Sequence, residues 1–291
     1  MLRSPVDAAA CALLPSCCAL CGSPLPRLSH APICDVCWME ISVARGPACG
    51  RCGDPLPEAG MGAGAALCRG CRMVPPDFER AVAYGPYEER MRAAIHALKY
   101  DRMHPAARRM GAMLAEAVAK LAGEAPNELL VVPVPLHRTK YAERGFNQAR
   151  VLAVYAMRAL RRSHPEWKLT LAPSTLMRLR ATGTQAGLTP RQRRINVRGA
   201  FRVENSAAVR NKHMLLVDDI LTTGATARAA ARTLKQAGAA TVWVATLARA
   251  GRAELHPGRR LGNESSAGAE DGMAAAGAPQ GAEWQEESNF S

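Results

Sequence analysis

The feature that most constrains this chain is the arrangement of its cysteines. All ten fall between Cys11 and Cys71 of a 291-residue sequence, and eight of them form four Cys-x-x-Cys pairs. Two thiolates three positions apart hold one tetrahedral Zn²⁺ from a tight turn, so four such pairs suit two structural Cys₄ sites. The predicted zinc ligands are Cys18, Cys21, Cys34, Cys37, Cys49, Cys52, Cys68 and Cys71.

Glycine follows the second cysteine in two of the four pairs, at Gly22 and Gly53. Glycine adopts positive φ readily, which lets backbone N–H groups turn toward the sulfurs. If each zinc site combines one pair that is followed by glycine with one pair that is not, the first two pairs along the chain form one site and the last two form the other. A grouping in which the pairs of the two sites alternate along the chain also satisfies the spacing. Disulfides are disfavoured in a chain that we expect to be cytoplasmic, and Cys11 and Cys17 are left over as thiols.

The cysteine-rich region is rich in Gly and Pro and has hardly any hydrophobic periodicity. Such a region cannot build its own core, so metal binding must supply its folding free energy. We therefore predict a double zinc-ribbon module over residues 15–73. Few basic residues lie among the cysteines and no aromatic stacking surface accompanies them, which favours scaffolding or partner docking over nucleic-acid binding.

The pattern then changes to short apolar runs that alternate with helical segments. Residues 129–134 and 214–217 are candidates for buried strands, and residues 224–236 form a candidate helix. Strands that alternate with helices at these lengths are typical of an α/β domain with a parallel sheet. We predict this domain over residues 78–249.

The charge is distributed unevenly along the chain. The formal net charge is +13, yet residues 261–291 hold six acidic residues and no Lys or Arg. The basic remainder favours polyanionic partners, either phosphorylated metabolites or nucleic acid. Residues 251–291 lack periodicity and are predicted to be a disordered acidic tail. No stretch approaches about 18 uninterrupted apolar residues and no signal-peptide core is present, so we expect no membrane span.

Acidic and hydroxyl side chains follow the predicted strand at residues 214–217. Asp218 and Asp219 come at its carboxyl end, before a turn that opens the next helix. Ligands bind at this edge of an open α/β sheet, and a helix start offers unpaired N–H groups and a positive dipole end. The turn, which we predict to bind a phosphate monoester, consists of Thr222, Thr223, Gly224, Ala225 and Thr226.

Two carboxylates beside a predicted phosphate site require an explanation, because carboxylates and phosphates are both negatively charged. They suit vicinal ribose hydroxyls or a hydrated Mg²⁺. A helix cap would need one Asp or Thr, whereas residues 218–226 contain five in nine positions. No GxxxxGKS/T or GxGxxG motif is present. Because adjacent like charges repel, we expect replacement of both aspartates by Asn to leave folding intact.

The run VDDILTTGAT at residues 217–226 resembles the phosphoribosyl pyrophosphate signature of type I phosphoribosyltransferases. Four further features narrow the resemblance to ComF-type phosphoribosyltransferase-like proteins, and the match covers about residues 15–248. These features are the four Cys-x-x-Cys pairs, IHALKY at 95–100, VPVP at 132–135 with RGFNQ at 144–148, and TQ at 184–185 followed by Arg194, Asn196 and AF at 200–201.

The resemblance implies a type I phosphoribosyltransferase-like parallel sheet with an N-terminal double zinc ribbon, which binds phosphoribosyl pyrophosphate with Mg²⁺. Asp218 and Asp219 would bind the ribose hydroxyls, and residues 222–226 the 5′-phosphate. The candidate catalytic residues are these two aspartates and Arg144. The cations that face the pyrophosphate would be Arg138, Lys140 and Arg144.

A basic segment would complete the site in such a family. By resemblance, residues 180–196 would be a mobile flap that closes over the reacting centre. Residues 178–198 contain six arginines and no acidic residue, which suits stabilisation of a departing pyrophosphate. A solvated basic face or a nucleic-acid patch is the alternative interpretation.

Three functions are compatible with the sequence. The first is a phosphoribosyltransferase with an unknown acceptor. The second is a relative that binds phosphoribosyl pyrophosphate while its zinc module docks a DNA-processing protein during uptake or use of external DNA, as the family name implies. The third is a zinc-ribbon protein that binds nucleic acid, such as single-stranded DNA, and whose α/β domain is vestigial. A related alternative is a non-catalytic competence factor that binds nucleic acid or a helicase and whose phosphoribosyltransferase fold senses a ligand. The zinc module occupies the position of the hood that holds the nucleobase in type I enzymes.

Overall fold

The computed structural model describes residues 17–25, 32–57, 66–100, 105–180, 192, 197 and 199–251. Residues 252–291 of the predicted tail and nearly all of the predicted flap lie outside this part of the chain. The described residues belong to one compact unit. None of the helices described is long and apolar enough to cross a membrane.

A parallel sheet confirms the predicted α/β fold. Its strands are β1 (Ala81–Pro86), β2 (Glu128–Pro133), β3 (Lys168–Leu171), β6 (His213–Leu221) and β7 (Thr241–Arg249). Their spatial order is β1-β7-β6-β2-β3, and every neighbouring pair is parallel. A separate antiparallel pair joins β4 (Leu176–Arg178) and β5 (Phe201–Val203).

Seven helices accompany the strands in the described part of the chain. They are α1 (Asp35–Met39), α2 (Arg69–Met73), α3 (Glu89–Tyr100), α4 (Ala106–Ala119), α5 (Arg138–Arg144), α6 (Gln148–Ser163) and α7 (Ala225–Gln236). Helices α4 and α6 cross so closely that a Cβ built on Gly111 would lie 2.3 Å from the Cβ of Tyr155. A side chain larger than hydrogen at this position would therefore force the two helices apart.

Strand β6 shows why the sheet strands are continuously apolar. Leu215 and Val217 pack into one apolar cluster with α3, α4 and α6, whereas Met214 and Leu216 pack into a second cluster with α7. Successive side chains of a strand point to opposite faces, so a sheet covered on both faces needs apolar residues at every position.

The N-terminal segment packs against the α/β domain. Trp38 and Ile41 are buried in the same cluster as Met91 and Ile95 of α3. The backbone N–H of Ala44 donates to the carbonyl of Tyr84 in β1, at 2.8 Å. The first apolar cluster therefore extends without a break from the cysteine-rich segment into the helices that cover the sheet.

Candidate functional site

The eight predicted zinc ligands gather in two groups. The first tetrad is Cys18, Cys21, Cys34 and Cys37, and the second tetrad is Cys49, Cys52, Cys68 and Cys71. Within each tetrad all the sulfurs lie within 4.8 Å of one another. This is the consecutive grouping, and it excludes the interleaved one that the spacing left open.

The sulfur separations match a tetrahedral zinc site. Cys18 and Cys37 Sγ lie 3.8 Å apart, and Cys52 and Cys68 Sγ lie 3.7 Å apart. A Zn–S bond of about 2.3 Å places the corners of a tetrahedron about 3.8 Å apart. Both tetrads therefore have the donor atoms and the size that Zn²⁺ requires.

Local backbone geometry builds both tetrads. Gly22 and Gly53 adopt φ of +73° and +65°, as expected for glycine after the second cysteine of a pair. Backbone N–H groups point at the sulfurs: that of Leu20 donates to Cys18 Sγ at 3.4 Å, and that of Cys68 donates to Cys49 Sγ at 3.3 Å. Such donors stabilise the thiolate form that binds metal.

A cavity of about 450 Å³ lies where β2 ends beside β6. Pairing of β2 with β6 stops at Val217, whereas pairing of β6 with β7 continues to Leu221. Strand β6 is thus longer than the predicted run 214–217, because its ladder with β7 continues through Asp218 to Leu221. Asp218 and Asp219 lie in this extension and line the cavity.

The two aspartates have different electrostatic environments. Asp219 is buried and forms an ion pair with the Lys99 ammonium at the end of α3. Burial alone would raise the pKa of Asp219, but the positive charge of Lys99 and the hydrogen bonds from Lys99 and Asp218 together outweigh burial, and the pKa is lowered. Asp218 accepts a hydrogen bond from the Asp219 N–H at 2.9 Å. Burial and the neighbouring negative charge of Asp219 raise the pKa of Asp218 well above its usual range.

Four cations line the cavity: Lys99, Lys140, Arg144 and Arg178. Burial, together with the charges of Arg178 and Arg144, lowers the pKa of Lys140. Burial also lowers the pKa of Arg178, against the opposing effect of Asp218. Like charges in one cavity repel one another, and a bound anion relieves that repulsion. These four cations are called the basic wall of the cavity below.

The segment RGFNQ holds one of these cations in place. The Asn147 side chain caps α6 by accepting from the N–H groups of Ala149 and Arg150, and it donates to the Val134 carbonyl after β2 at 3.1 Å. Arg144 donates to Gln148 Oε1 at 2.6 Å, and its guanidinium lies 5.2 Å from the centre of the Tyr100 ring. The start of α6 is therefore tied to the end of β2 beside the cavity.

The predicted phosphate turn enters α7 beside the aspartates. Gly224 has φ of +74°, and Thr223 Oγ1 accepts from the Ala225 N–H at 3.3 Å. The turn residues that line the cavity are Thr222, Gly224, Ala225 and Thr226. Of the predicted site residues, Thr223 and Arg138 are not part of the lining; Arg138 is exposed on α5.

Several lining residues were not assigned to the site from sequence. Lys99 and Tyr100 end the IHALKY segment, Gln148 ends RGFNQ, and Arg178 begins the predicted basic segment. Their segments were recognised, but nothing local to each residue shows that its side chain reaches the aspartates. That information resides in the packing of α3, α6 and β4 against the sheet.

Known families and relatives match this chain over most of its length. A phosphoribosyl transferase domain matches residues 169–260, and a double zinc ribbon domain matches residues 9–73. The DNA utilization protein YhgH of Escherichia coli O157:H7 is 34% identical over 238 residues, which cover 81% of this chain and 98% of the relative. Competence protein F of Haemophilus influenzae is 29% identical, over 75% of this chain and 90% of its own length.

Among solved structures, a glutamine phosphoribosylpyrophosphate amidotransferase from B. subtilis, complexed with ADP and GMP, matches 49% of this chain and 26% of its own chain. The sequence identity is 24% and the TM-score is 0.30. The two domain matches and the relatives, by contrast, identify the family of this chain. The chain belongs to the ComF-type family of phosphoribosyltransferase-like proteins that carry an N-terminal double zinc ribbon.

Proposed function

We propose that this protein binds phosphoribosyl pyrophosphate, together with Mg²⁺, in the cavity at the end of β2 and β6. The observation that carries the proposal is the charge pattern: two carboxylates, four cations and the first residues of α7 all line one cavity. A sugar with vicinal hydroxyls and phosphates at two positions presents the complementary groups. A volume of about 450 Å³ is within the usual range for small-ligand sites.

Each part of the ligand has a partner in the cavity. The 5′-phosphate binds the N–H groups and hydroxyls of the turn at residues 222–226, mainly those of the lining residues Thr222, Gly224, Ala225 and Thr226, because an α-helix start and a glycine turn favour a phosphate. The ribose hydroxyls donate to Asp218, because the described lysine nearby, Lys99, forms its ion pair with Asp219 instead. The pyrophosphate lies against Lys140, Arg144 and Arg178, whose mutual repulsion it relieves.

The same residues suit a magnesium ion that arrives with the ligand. Mg²⁺ binds through one or two carboxylates plus phosphate oxygens and keeps several waters. Asp218 would hold it, since the charge of Asp219 is already compensated by Lys99. When bound, the ion would neutralise part of the pyrophosphate charge.

A transfer reaction would draw on the same basic wall. Breaking the bond between C1 of the ribose and the pyrophosphate oxygen builds negative charge on the leaving group, and Arg144 and Arg178 stabilise that charge. A nucleophilic atom of the acceptor then forms the new bond to C1 of the ribose. Release of pyrophosphate on addition of candidate bases distinguishes a transferase from a protein that only binds the ligand.

We further propose a role in the use of external DNA. Relatives at 34% and 29% identity are a DNA utilization protein and a competence protein, and the first is matched over 98% of its length. In this role the zinc ribbons dock a DNA-processing protein. Salt-dependent binding of single-stranded DNA by the protein alone would favour the nucleic-acid alternative instead.

Calorimetric titration tests the ligand. Phosphoribosyl pyrophosphate with Mg²⁺ should bind at micromolar concentration and raise the melting temperature, because a ligand specific for the folded state stabilises it. Ribose 5-phosphate and pyrophosphate, as controls, should each bind more weakly because each engages one half of the cavity. Absence of binding at millimolar phosphoribosyl pyrophosphate would exclude the proposed ligand.

The pH dependence of binding tests the role of Asp218. Because its pKa is raised, the Asp218 carboxyl of the free protein keeps its proton to a higher pH than an ordinary aspartate does. That proton must leave before the carboxylate binds hydroxyls or Mg²⁺, so affinity should rise with pH through this titration. Titration in buffers of different ionisation enthalpy should show the released proton. The ligand's phosphates also titrate, so the matched control is Asp218→Asn, in which the release attributable to the protein should vanish. Identical proton release in both proteins would contradict this role.

A further inference from the structure

A buried arginine outside the cavity lining connects the zinc module to the phosphate turn. Arg249, at the end of β7, forms an ion pair with Asp54 at 2.9 Å, and the two side chains are only 9% and 4% exposed. Asp54 follows directly after the Cys52-Gly53 corner of the second tetrad. A buried guanidinium requires hydrogen-bond partners for its donors, so its contacts define what it holds together.

The Arg249 guanidinium donates hydrogen bonds both to the zinc module and to the phosphate turn. On the zinc side, Nε donates to the Cys52 carbonyl at 3.1 Å, and Nη2 donates to Asp54. On the cavity side, Nη1 donates to the Leu221 carbonyl at 2.9 Å and to the Thr222 carbonyl. One side chain thus spans the second tetrad and the first residues of the phosphate turn.

A second arginine joins the same two features from the other end of the turn. Arg228, in the first turns of α7, donates through Nη1 to the Val74 carbonyl at 2.7 Å and through Nη2 to Cys71 Sγ at 3.6 Å. Cys71 is itself a member of the second tetrad. The phosphate turn is therefore anchored to this tetrad at its beginning and just after its end.

The first tetrad has a different neighbourhood. Arg90 of α3 donates to the Leu20 carbonyl at 3.5 Å, and the Arg109 guanidinium of α4 lies 5.0 Å from the centre of the Trp38 ring. These contacts place the first tetrad against α3 and α4. The two tetrads thus support different parts of the α/β domain.

The carbonyl groups that Arg249 binds determine where the neighbouring N–H groups of the turn point. In a planar trans peptide the C=O of one residue points opposite to the N–H of the next. When Arg249 holds the carbonyls of Leu221 and Thr222, the N–H groups of Thr222 and Thr223 point away from the arginine. Donors aimed in advance bind an anion without the cost of reorganisation.

We infer that Arg249 is a positioning residue through which the second tetrad, and not the first, holds the phosphate turn in its binding conformation. Metal in the second tetrad then fixes Asp54 and the Cys52 carbonyl, and these fix Arg249. The effect on ligand affinity rests on the proposed function, whereas the effect on the turn does not.

Amide hydrogen exchange tests the effect on the turn. Arg249→Lys keeps the charge but loses the forked geometry, so exchange at residues 222–226 should accelerate at least tenfold. Arg90→Lys is the matched control, because Arg90 also donates to a ribbon carbonyl, and it should leave this segment unchanged. Equal exchange rates at 222–226 in wild type and Arg249→Lys would overturn the inference.

Two further pairs of variants separate positioning from general stability. Asp54→Asn keeps an acceptor oxygen for Nη2 and should retain more protection at 222–226 than Asp54→Ala. Cys71→Ser should accelerate exchange at the turn, whereas Cys34→Ser should accelerate it in α3 and α4. If Cys34→Ser loosened the turn as much as Cys71→Ser, the assignment to the second tetrad would be wrong.

Ligand binding provides the last measurement. Arg249→Lys should weaken phosphoribosyl pyrophosphate binding about tenfold, while Arg90→Lys binds like wild type. If Arg249→Lys accelerates exchange yet binds as tightly as wild type, the claim about affinity is overturned. If wild type itself binds no phosphoribosyl pyrophosphate, the proposed function fails, and the exchange data still decide whether Arg249 positions the turn.

Discussion

Asp218→Asn should weaken the binding of phosphoribosyl pyrophosphate without preventing it, while Asp219→Asn should mainly destabilise the fold. Among the residues that the structure describes, no lysine forms an ion pair with Asp218, and burial raises the pKa of Asp218, so an amide there costs the ligand-free protein little. Loss of charge-assisted hydrogen bonds to the ligand lowers affinity about a hundredfold. Asp219→Asn leaves the buried Lys99 ammonium without its counter-charge, which costs about 3–5 kcal/mol. This expectation replaces the one from sequence, that Asn at both positions leaves folding intact, because the sequence does not show the Lys99 partner.

Calorimetry and urea unfolding of the two variants separate these effects. Lys99→Met combined with Asp219→Asn is the matched control, because replacing both members of a buried ion pair by uncharged groups is far less costly than removing one. The double variant should therefore recover most of the stability that Asp219→Asn loses. Equal stability losses in Asp218→Asn and Asp219→Asn would show that the Lys99 pair does not distinguish the two carboxylates.

Removing the metal from the two tetrads should lower the melting temperature of the whole protein by about ten degrees or more. Structural zinc supplies about 10–16 kcal/mol of apparent binding free energy, which is comparable to the entire stability of a domain. Trp38 and Ile41 pack in the same cluster as α3, so loss of the first tetrad removes part of the cover of the sheet. Differential scanning calorimetry before and after treatment with a chelator measures the change.

The number of zinc ions bound per chain is a second, independent prediction. Protein purified without chelator should contain about two zinc ions per chain, one for each tetrad. Single Cys→Ser variants within a tetrad should reduce the content to about one. Cys17→Ser is the matched control, because Cys17 is exposed and belongs to neither tetrad. A content near zero in freshly reduced wild-type protein would rule out both zinc sites.

The sequence by itself determined the features that are encoded locally. A Cys-x-x-Cys pair with a following glycine forms a tight turn from its own residues. Strand β6 is recognisable by its consecutive apolar residues, because both of its faces are covered. The aspartates and the threonine turn are contiguous, so their common place at the end of a strand follows from chain order alone. The resemblance to ComF-type proteins rests on the same contiguous motifs.

Only the tertiary structure decided how these local features act on one another. The pairing of the cysteines into tetrads needed the folded ribbon, since the spacing allowed two groupings. Two adjacent aspartates look equivalent in sequence, but Lys99 reaches one of them from a helix far earlier in the chain and separates their pKa values. Arg249 and Asp54 are 195 positions apart, yet they form one buried ion pair between the second tetrad and the turn. The physical reason is that burial and charge depend on distance in space, and residues remote in sequence are brought within that distance by packing of the helices and the ribbon on the sheet.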